Sequence, residues 1–112
     1  MTYVAEVLNK KSSDKRFKAL SSEFRRFLIG FLYAYGPMYE SEIRKNVKID
    51  SNTLAYHLNI LVDAGFLKNE FSDREGRRFS KYSVADEGMR FLDFIGAKEE
   101  LERLGYRKSN EV

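Results

Sequence analysis

The chain has 112 residues, 43% hydrophobic and 33% charged, with one histidine and no cysteine. That suits a single soluble domain with one modest core. It excludes disulfides, thiol catalysis and thiolate metal sites, and the lack of a charged-then-apolar opening segment points to an intracellular, cytoplasmic protein. The net charge is +3, with 15 Lys/Arg against 10 Asp/Glu in residues 1–84 and 5 against 7 in residues 85–112; a basic body with an acidic end fits a polyanion such as nucleic acid, and fits an ordinary solvated surface as well.

The first residues carry a short amphipathic pattern (Tyr3, Val4, Val7, Leu8), to be read as a docking helix or a frayed terminus. From Asp14 a longer pattern begins. Phe17, Leu20, Phe24, Phe27, Leu28, Phe31 and Ala34 recur at three- and four-residue intervals and predict one face of a helix. The aromatic stripe Phe17, Phe24, Phe27 and Phe31 is assigned to the core. The run from Phe27 to Gly36 is too short to span a bilayer, so no membrane partner is expected. Pro37 cannot continue the hydrogen-bond ladder, and the helix stops at Tyr35 to Tyr39.

A short helix is predicted over Glu40 to Asn46, acidic at its start and basic at its end, with Ile43 and Val47 inward. Asp50 or Ser51 can then cap a third helix, from about Asn52 to Ala64, that Gly65 ends. At 100° per residue Leu54, Leu58, Leu61 and Val62 form one stripe of it. Asn52, Ala55, Tyr56, Asn59 and Asp63 face the other way, and Thr53, His57 and Ile60 lie on a flank between. After Gly65 the period changes. Phe66 to Phe71 and Arg77 to Val84 read as strands, separated by the turn segment Ser72 to Gly76. Tyr82 and Val84 are assigned to the core face, Phe79 and Lys81 to the other. Asp86 is expected to cap a last helix bearing Met89, Phe91, Leu92 and Ile95, bent or ended by Gly96. Residues from Ala97 could add a short helix before a disordered end.

The order is helix, short helix, helix, hairpin, helix, and the tight link before the third helix suggests a helix-turn-helix. The fold class is therefore mainly α with a small β-hairpin: a winged helix-turn-helix with a three-helix core, an antiparallel wing and an extra C-terminal helix. Three regions follow: an N-terminal arm (1–13), flexible or a short helix; the winged helix-turn-helix domain (14–95); and an acidic, partly disordered tail (96–112).

Ala19–Leu20–Ser21, His57–Leu58, Leu61, Ala64–Gly65–Phe66–Leu67, Gly76 and Tyr82 occur in an order and spacing that resembles the ArsR-type winged helix-turn-helix regulators. The small size, aromatic richness and lack of cysteine also resemble the short winged-helix proteins of crenarchaeal spindle-shaped viruses, which would put the chain in a host cytoplasm. The resemblance implies a DNA-binding regulator. It does not extend to metal sensing: Glu42 to Lys48 lacks the cysteines of metal-sensing members, and no histidine follows His57. Members pair through terminal helices; Gly88, Gly96 and the acidic end depart from that surface, leaving a monomer or weak homodimer.

In helix-turn-helix geometry the third helix enters the major groove. Ser51, Asn52, Thr53, Tyr56 and Asn59 are then the candidate base readers. Asn can pair with adenine, and Thr or Ala55 can meet a thymine methyl. As a solvated face this one is unusual: Asp63 is its only charge in a chain one-third charged. Arg44, Lys45 and Lys48, with Arg74, Arg77, Arg78 and Lys81 of the wing, are candidate backbone contacts. The competing reading of the wing is a hairpin whose charges only guard its edge, diluted by Glu70, Asp73 and Glu75. Lys10, Lys11, Lys15 and Arg16 could add contacts from the arm. His57 has no second His and no Cys to share a zinc ion, and no nucleophile to serve, so it is read as packing at the core edge and hydrogen-bonding a neighbour. No catalytic residue, metal or cofactor is assigned, and the chain is not read as an enzyme. The partners expected are double-stranded DNA and the transcription machinery. The alternative is a protein-interaction winged helix without sequence-specific DNA binding, docking through the same face and the acidic tail.

Overall fold

The computed structural model describes residues 11–106. Along the chain run α1 (Lys11–Leu20), α2 (Glu23–Tyr35), β1 (Met38–Tyr39), α3 (Glu40–Val47), α4 (Ser51–Asp63), β2 (Leu67–Arg74), β3 (Arg77–Val84), α5 (Asp86–Phe94) and α6 (Ala97–Arg103). This is the expected mainly helical winged helix-turn-helix. The N-terminal pattern of Tyr3, Val4, Val7 and Leu8, and residues 107–112, lie outside the described residues.

The segment expected as one helix from Asp14 is two. The Ser21 hydroxyl donates to the Lys18 carbonyl (2.7 Å), and Ser22, in extended conformation, accepts from the Arg25 amide (3.2 Å). Serine side chains that bond nearby backbone compete with helix, and Ser22 becomes the cap of α2 instead. The break resets the phase of the apolar pattern. Leu28, Ile29, Leu32 and Tyr33 form the buried face of α2, whereas Phe17 and Phe27, assigned to the core, are 58% and 48% exposed. Phe24, Phe27, Phe31 and Tyr35 make a separate ladder beside that face, with successive ring centroids 6.1, 5.5 and 5.0 Å apart.

The segment after Pro37 does more than stop a helix. Met38 and Tyr39 pair with Tyr82 and Lys81, adding a third strand in the order β1-β3-β2. A two-residue strand is too short to leave a period in the sequence. The Tyr39 amide then donates to Glu42 Oε1 (2.9 Å), which starts α3, and Lys48 ends it in left-handed conformation. Asp50, one of the two caps considered, holds the start of α4.

The hairpin is longer and its turn tighter than predicted. Leu67 to Arg74 pairs without a gap against Val84 to Arg77. The reversal is made by Glu75 and Gly76 alone, at φ 53° and 73°. Two consecutive positive φ values define the two-residue turn whose twist matches that of the strands, and glycine at its second position adopts it without strain. At the hairpin root the Ala85 amide donates to the Phe66 carbonyl (3.0 Å). Ala85, not Asp86, is the residue capping α5, and it offers no side-chain bond. Leu92 is buried, but Ile95 is exposed.

The core gathers Leu54, Leu58 and Leu61 of α4 against the buried face of α2, Ile43 of α3, and Phe66, Leu67 and Tyr82 at the root of the wing. Each fully buried leucine contributes about 1.5–3 kcal/mol. Their shared stripe fixes which side of α4 is left outside. Residues after Gly96 belong to this body as well. Leu101 packs against the core, Tyr33 donates to Glu102 Oε2 (2.8 Å), and Tyr35 meets the edge of Tyr106 at 5.7 Å.

Candidate nucleic-acid interface

With the leucine stripe inward, α4 presents Ser51, Asn52, Thr53, Tyr56 and Asn59 as exposed side chains. Tyr56 is the largest of them, at 56%. Asp50 organises the leading turn: one carboxylate oxygen accepts from the Thr53 amide (3.0 Å), the other from the Thr53 hydroxyl (2.6 Å). The Thr53 hydroxyl bond, then the amide bond, holds the Asp50 carboxyl below its ordinary value. With its hydroxyl tied down, Thr53 has its methyl group left for other contacts. At the far end Asp63 lies 3.3 Å from Lys15 of α1, so the single charge of this face is paired. Before the turn, Lys45 and Lys48 are exposed and Arg44 is half-buried.

The register of the wing divides the four candidate contact cations. Residues directly opposite in an antiparallel pair share a face. Arg74, Arg77 and Lys81 therefore share one face, which Tyr39 and Phe79 also occupy, while Arg78 lies on the other with Phe71 and Asp73. Arg74 is held over two rings, 5.1 Å from Phe79 and 5.2 Å from Tyr39, and Lys81 lies 5.4 Å from Tyr39. Arg78 sits 5.2 Å from the Phe71 ring and 3.5 Å from Asp73. Cations over aromatic faces lose side-chain freedom while keeping their charge outward. From sequence Tyr39 and Phe71 have no assigned role, and Phe79 is placed only on the strand face of Lys81. For Phe79 the available signal was its place two residues from both Arg77 and Lys81; Tyr39 and Phe71 meet their cations only across strands, which the sequence does not display.

His57 hydrogen-bonds a neighbour as anticipated, and the neighbour is Arg25 of α2: Nη1 lies 2.9 Å from Nδ1. Burial, then the Arg25 charge, keeps the imidazole below its ordinary value. Among the described residues no three His, Asp or Glu side chains gather as metal ligands, and no helix is long and apolar enough to cross a membrane.

A family model described as a helix-turn-helix domain matches residues 20–70, from the end of α1 into the first strand of the wing. No curated protein matches the chain. Solved structures do. An ArsR family transcriptional regulator is similar at 21% identity over 83% of this chain and 98% of its own, with a TM-score of 0.60. A transcriptional regulator homologue from Pyrococcus horikoshii OT3 is similar at 20% identity over 94% and 99%, TM-score 0.63. The transcriptional regulator HlyU from Vibrio vulnificus CMCP6 is similar at 16% over 87% and 97%, TM-score 0.56. These likenesses span nearly the whole of each compared chain, and the fold they share with this one is the winged helix.

Proposed function

We propose that this winged helix-turn-helix chain binds double-stranded DNA in a sequence-specific way and regulates transcription by occupying a promoter. The observation that carries the reading is the exposed face of α4. It follows the turn of a helix-turn-helix, it is rich in Asn, Thr and Tyr, and its one charge is already paired with Lys15. In that geometry α4 lies in the major groove, with Ser51, Asn52, Thr53, Tyr56 and Asn59 toward base edges. Arg44, Lys45 and Lys48 lie toward the phosphates flanking α4. Arg74, Arg77 and Lys81 would meet the backbone or minor groove from one face of the wing, and Arg78 from the other. The regulators named above have this fold, which supports the reading without supplying an operator.

The action is binding alone, with no catalytic step, cofactor or metal. The chain works as a monomer or weak homodimer in the cytoplasm, that of a host if the chain is viral, where it meets the transcription machinery. Selection from random duplexes, followed by the mass of the selected complex, tests the sequence-specific binding and the number of copies. An enriched motif is expected, palindromic for two copies and a single half-site for one. Recovery of no motif, with binding that vanishes as salt is raised, would leave only non-specific charge attraction and sink the proposal.

A further inference from the structure

The imidazole of His57 joins an interior contact to the outer face of α4. Inward, its Nδ1 meets Nη1 of Arg25; outward, its ring lies edge-on to Tyr56, centroids 5.2 Å apart, with Phe24 on another side at 5.0 Å. Arg25 is the one buried charged side chain among the described residues, 6% exposed. Its remaining nitrogens hold the last turn of α1: Nη2 donates to the Lys18 carbonyl (2.8 Å) and Nε to that of Ala19 (2.9 Å). A guanidinium keeps its charge and can only donate. Nδ1 of His57 must therefore accept, which leaves the proton of the neutral ring on Nε2.

We propose that Arg25 and His57 are positioning residues for the reading face: Arg25 clamps His57 to the end of α1, His57 braces Tyr56, and the brace opens when His57 takes up a proton. The proposal rests on the assignment of α4 to DNA. A proton on Nδ1 turns the acceptor into a donor aimed at a donor, and brings two positive charges to hydrogen-bonding distance. α1, α2 and β2 pack most closely against α4, with Ile43 of α3 and Tyr82 of β3 in the shared core. Of their charged groups, Arg25 is the one whose field reaches the ring. Lys15 of α1 is engaged with Asp63 further along α4. The neutral, braced form is favoured because burial and Arg25 both disfavour the imidazolium.

The sign follows from that depression. The brace is complete above the ordinary histidine range and is lost as pH falls through the lowered value in the fold. Affinity should fall in acid. A histidine that simply faced phosphate would behave in the opposite way, its new charge tightening the complex.

Duplex affinity is to be measured at about pH 7.5 and at a pH below the His57 midpoint found by NMR, for the wild-type chain, His57→Asn and Arg25→Gln. The wild type should bind about tenfold more weakly in acid, the scale of one lost charge-assisted hydrogen bond. His57→Asn offers Arg25 a carboxamide oxygen but cannot titrate, so its affinity should not change with pH. In the protein without DNA, NMR should find the Nε2–H tautomer of His57, and Arg25→Gln should raise its titration midpoint. If Arg25→Gln does not fold, the wild type and His57→Asn still decide. A wild-type affinity that is flat or tightens in acid overturns the clamp and leaves DNA recognition standing. Absence of selective duplex binding at either pH overturns the assignment of α4 itself, and the clamp with it.

Discussion

Tyr56 and Asn59 stand three residues apart on the exposed face of α4, about 4.5 Å along the axis. That is little more than the ~3.4 Å rise of a base-pair step, so the two side chains would meet neighbouring bases. Tyr56→Ala and Asn59→Ala should each weaken binding to the selected sequence by about 1–3 kcal/mol, and each should relax the preference at one position. Both side chains are exposed, so thermal unfolding should stay within about 0.5 kcal/mol of wild type. Variants that fold normally and bind the selected duplex unchanged would rule out the reading role. At this scale the sequence spoke clearly about phase and not about partners. One hundred degrees per residue separates Leu58 from Tyr56 with no further information. That His57 rests on Arg25 could not be read, because the two are 32 residues apart and meet only once α2 packs on α4.

Each element is held by a local device with its own test. In the wing, Arg74 is stacked on Tyr39 and Phe79 and Arg78 on Phe71 beside Asp73, while the exposed Arg77 meets no ring or acid among the described residues. Arg77→Ala should therefore weaken binding to every duplex alike and lower the slope of log affinity against log salt by about 0.9, the share of one phosphate contact. An unaltered slope would take this side chain out of the footprint. At the root of the wing α5 passes so close to the chain that Gly88 has no room for a side chain. A Cβ there would lie 2.3 Å from the Phe66 carbonyl oxygen and 2.7 Å from Val84 Cγ1. Gly88→Ala should cost about 1–3 kcal/mol of stability, the range for overpacked sites, measured by denaturant unfolding; a neutral result would mean that α5 shifts freely on the wing. The elements differ in how legible they were. The leucine stripe of α4 and the alternation of Tyr82 and Val84 are strong periodic signals, and both hold. The break at Ser21–Ser22 and the two-residue turn at Glu75–Gly76 depend on single side-chain bonds and φ values, which periodicity averages away. That averaging is also why Phe17 and Phe27 read as core.

Across the whole molecule, the acidic end is the part whose composition misleads most. The short helix that could follow Ala97 is present as α6, but its charged composition does not reveal its attachment, which comes from residues far away in sequence. Tyr33 is buried on α2 and reaches Glu102, 69 residues on, while Leu101 packs against the core and Tyr106 closes over Tyr35. A helix of seven residues is too short to persist in water without such packing. Its order therefore measures the long-range contacts directly. Tyr33→Phe keeps the ring in the core and removes the hydroxyl, leaving Glu102 without that donor. The cost of losing a hydrogen bond to a charged group is about 1.5–3 kcal/mol. It should appear first as faster amide exchange in residues 97–103, and only weakly in α4, whose core leucines are untouched. Binding to the selected duplex should be preserved at temperatures where α2 and α4 remain folded. If exchange in α6 and α4 rises in step, the C-terminal helix unfolds together with α4, and the molecule is a single cooperative unit from Ser22 to Tyr106. If α6 alone loosens, the winged helix is the cooperative unit and α6 is a separable brace on the aromatic side of α2.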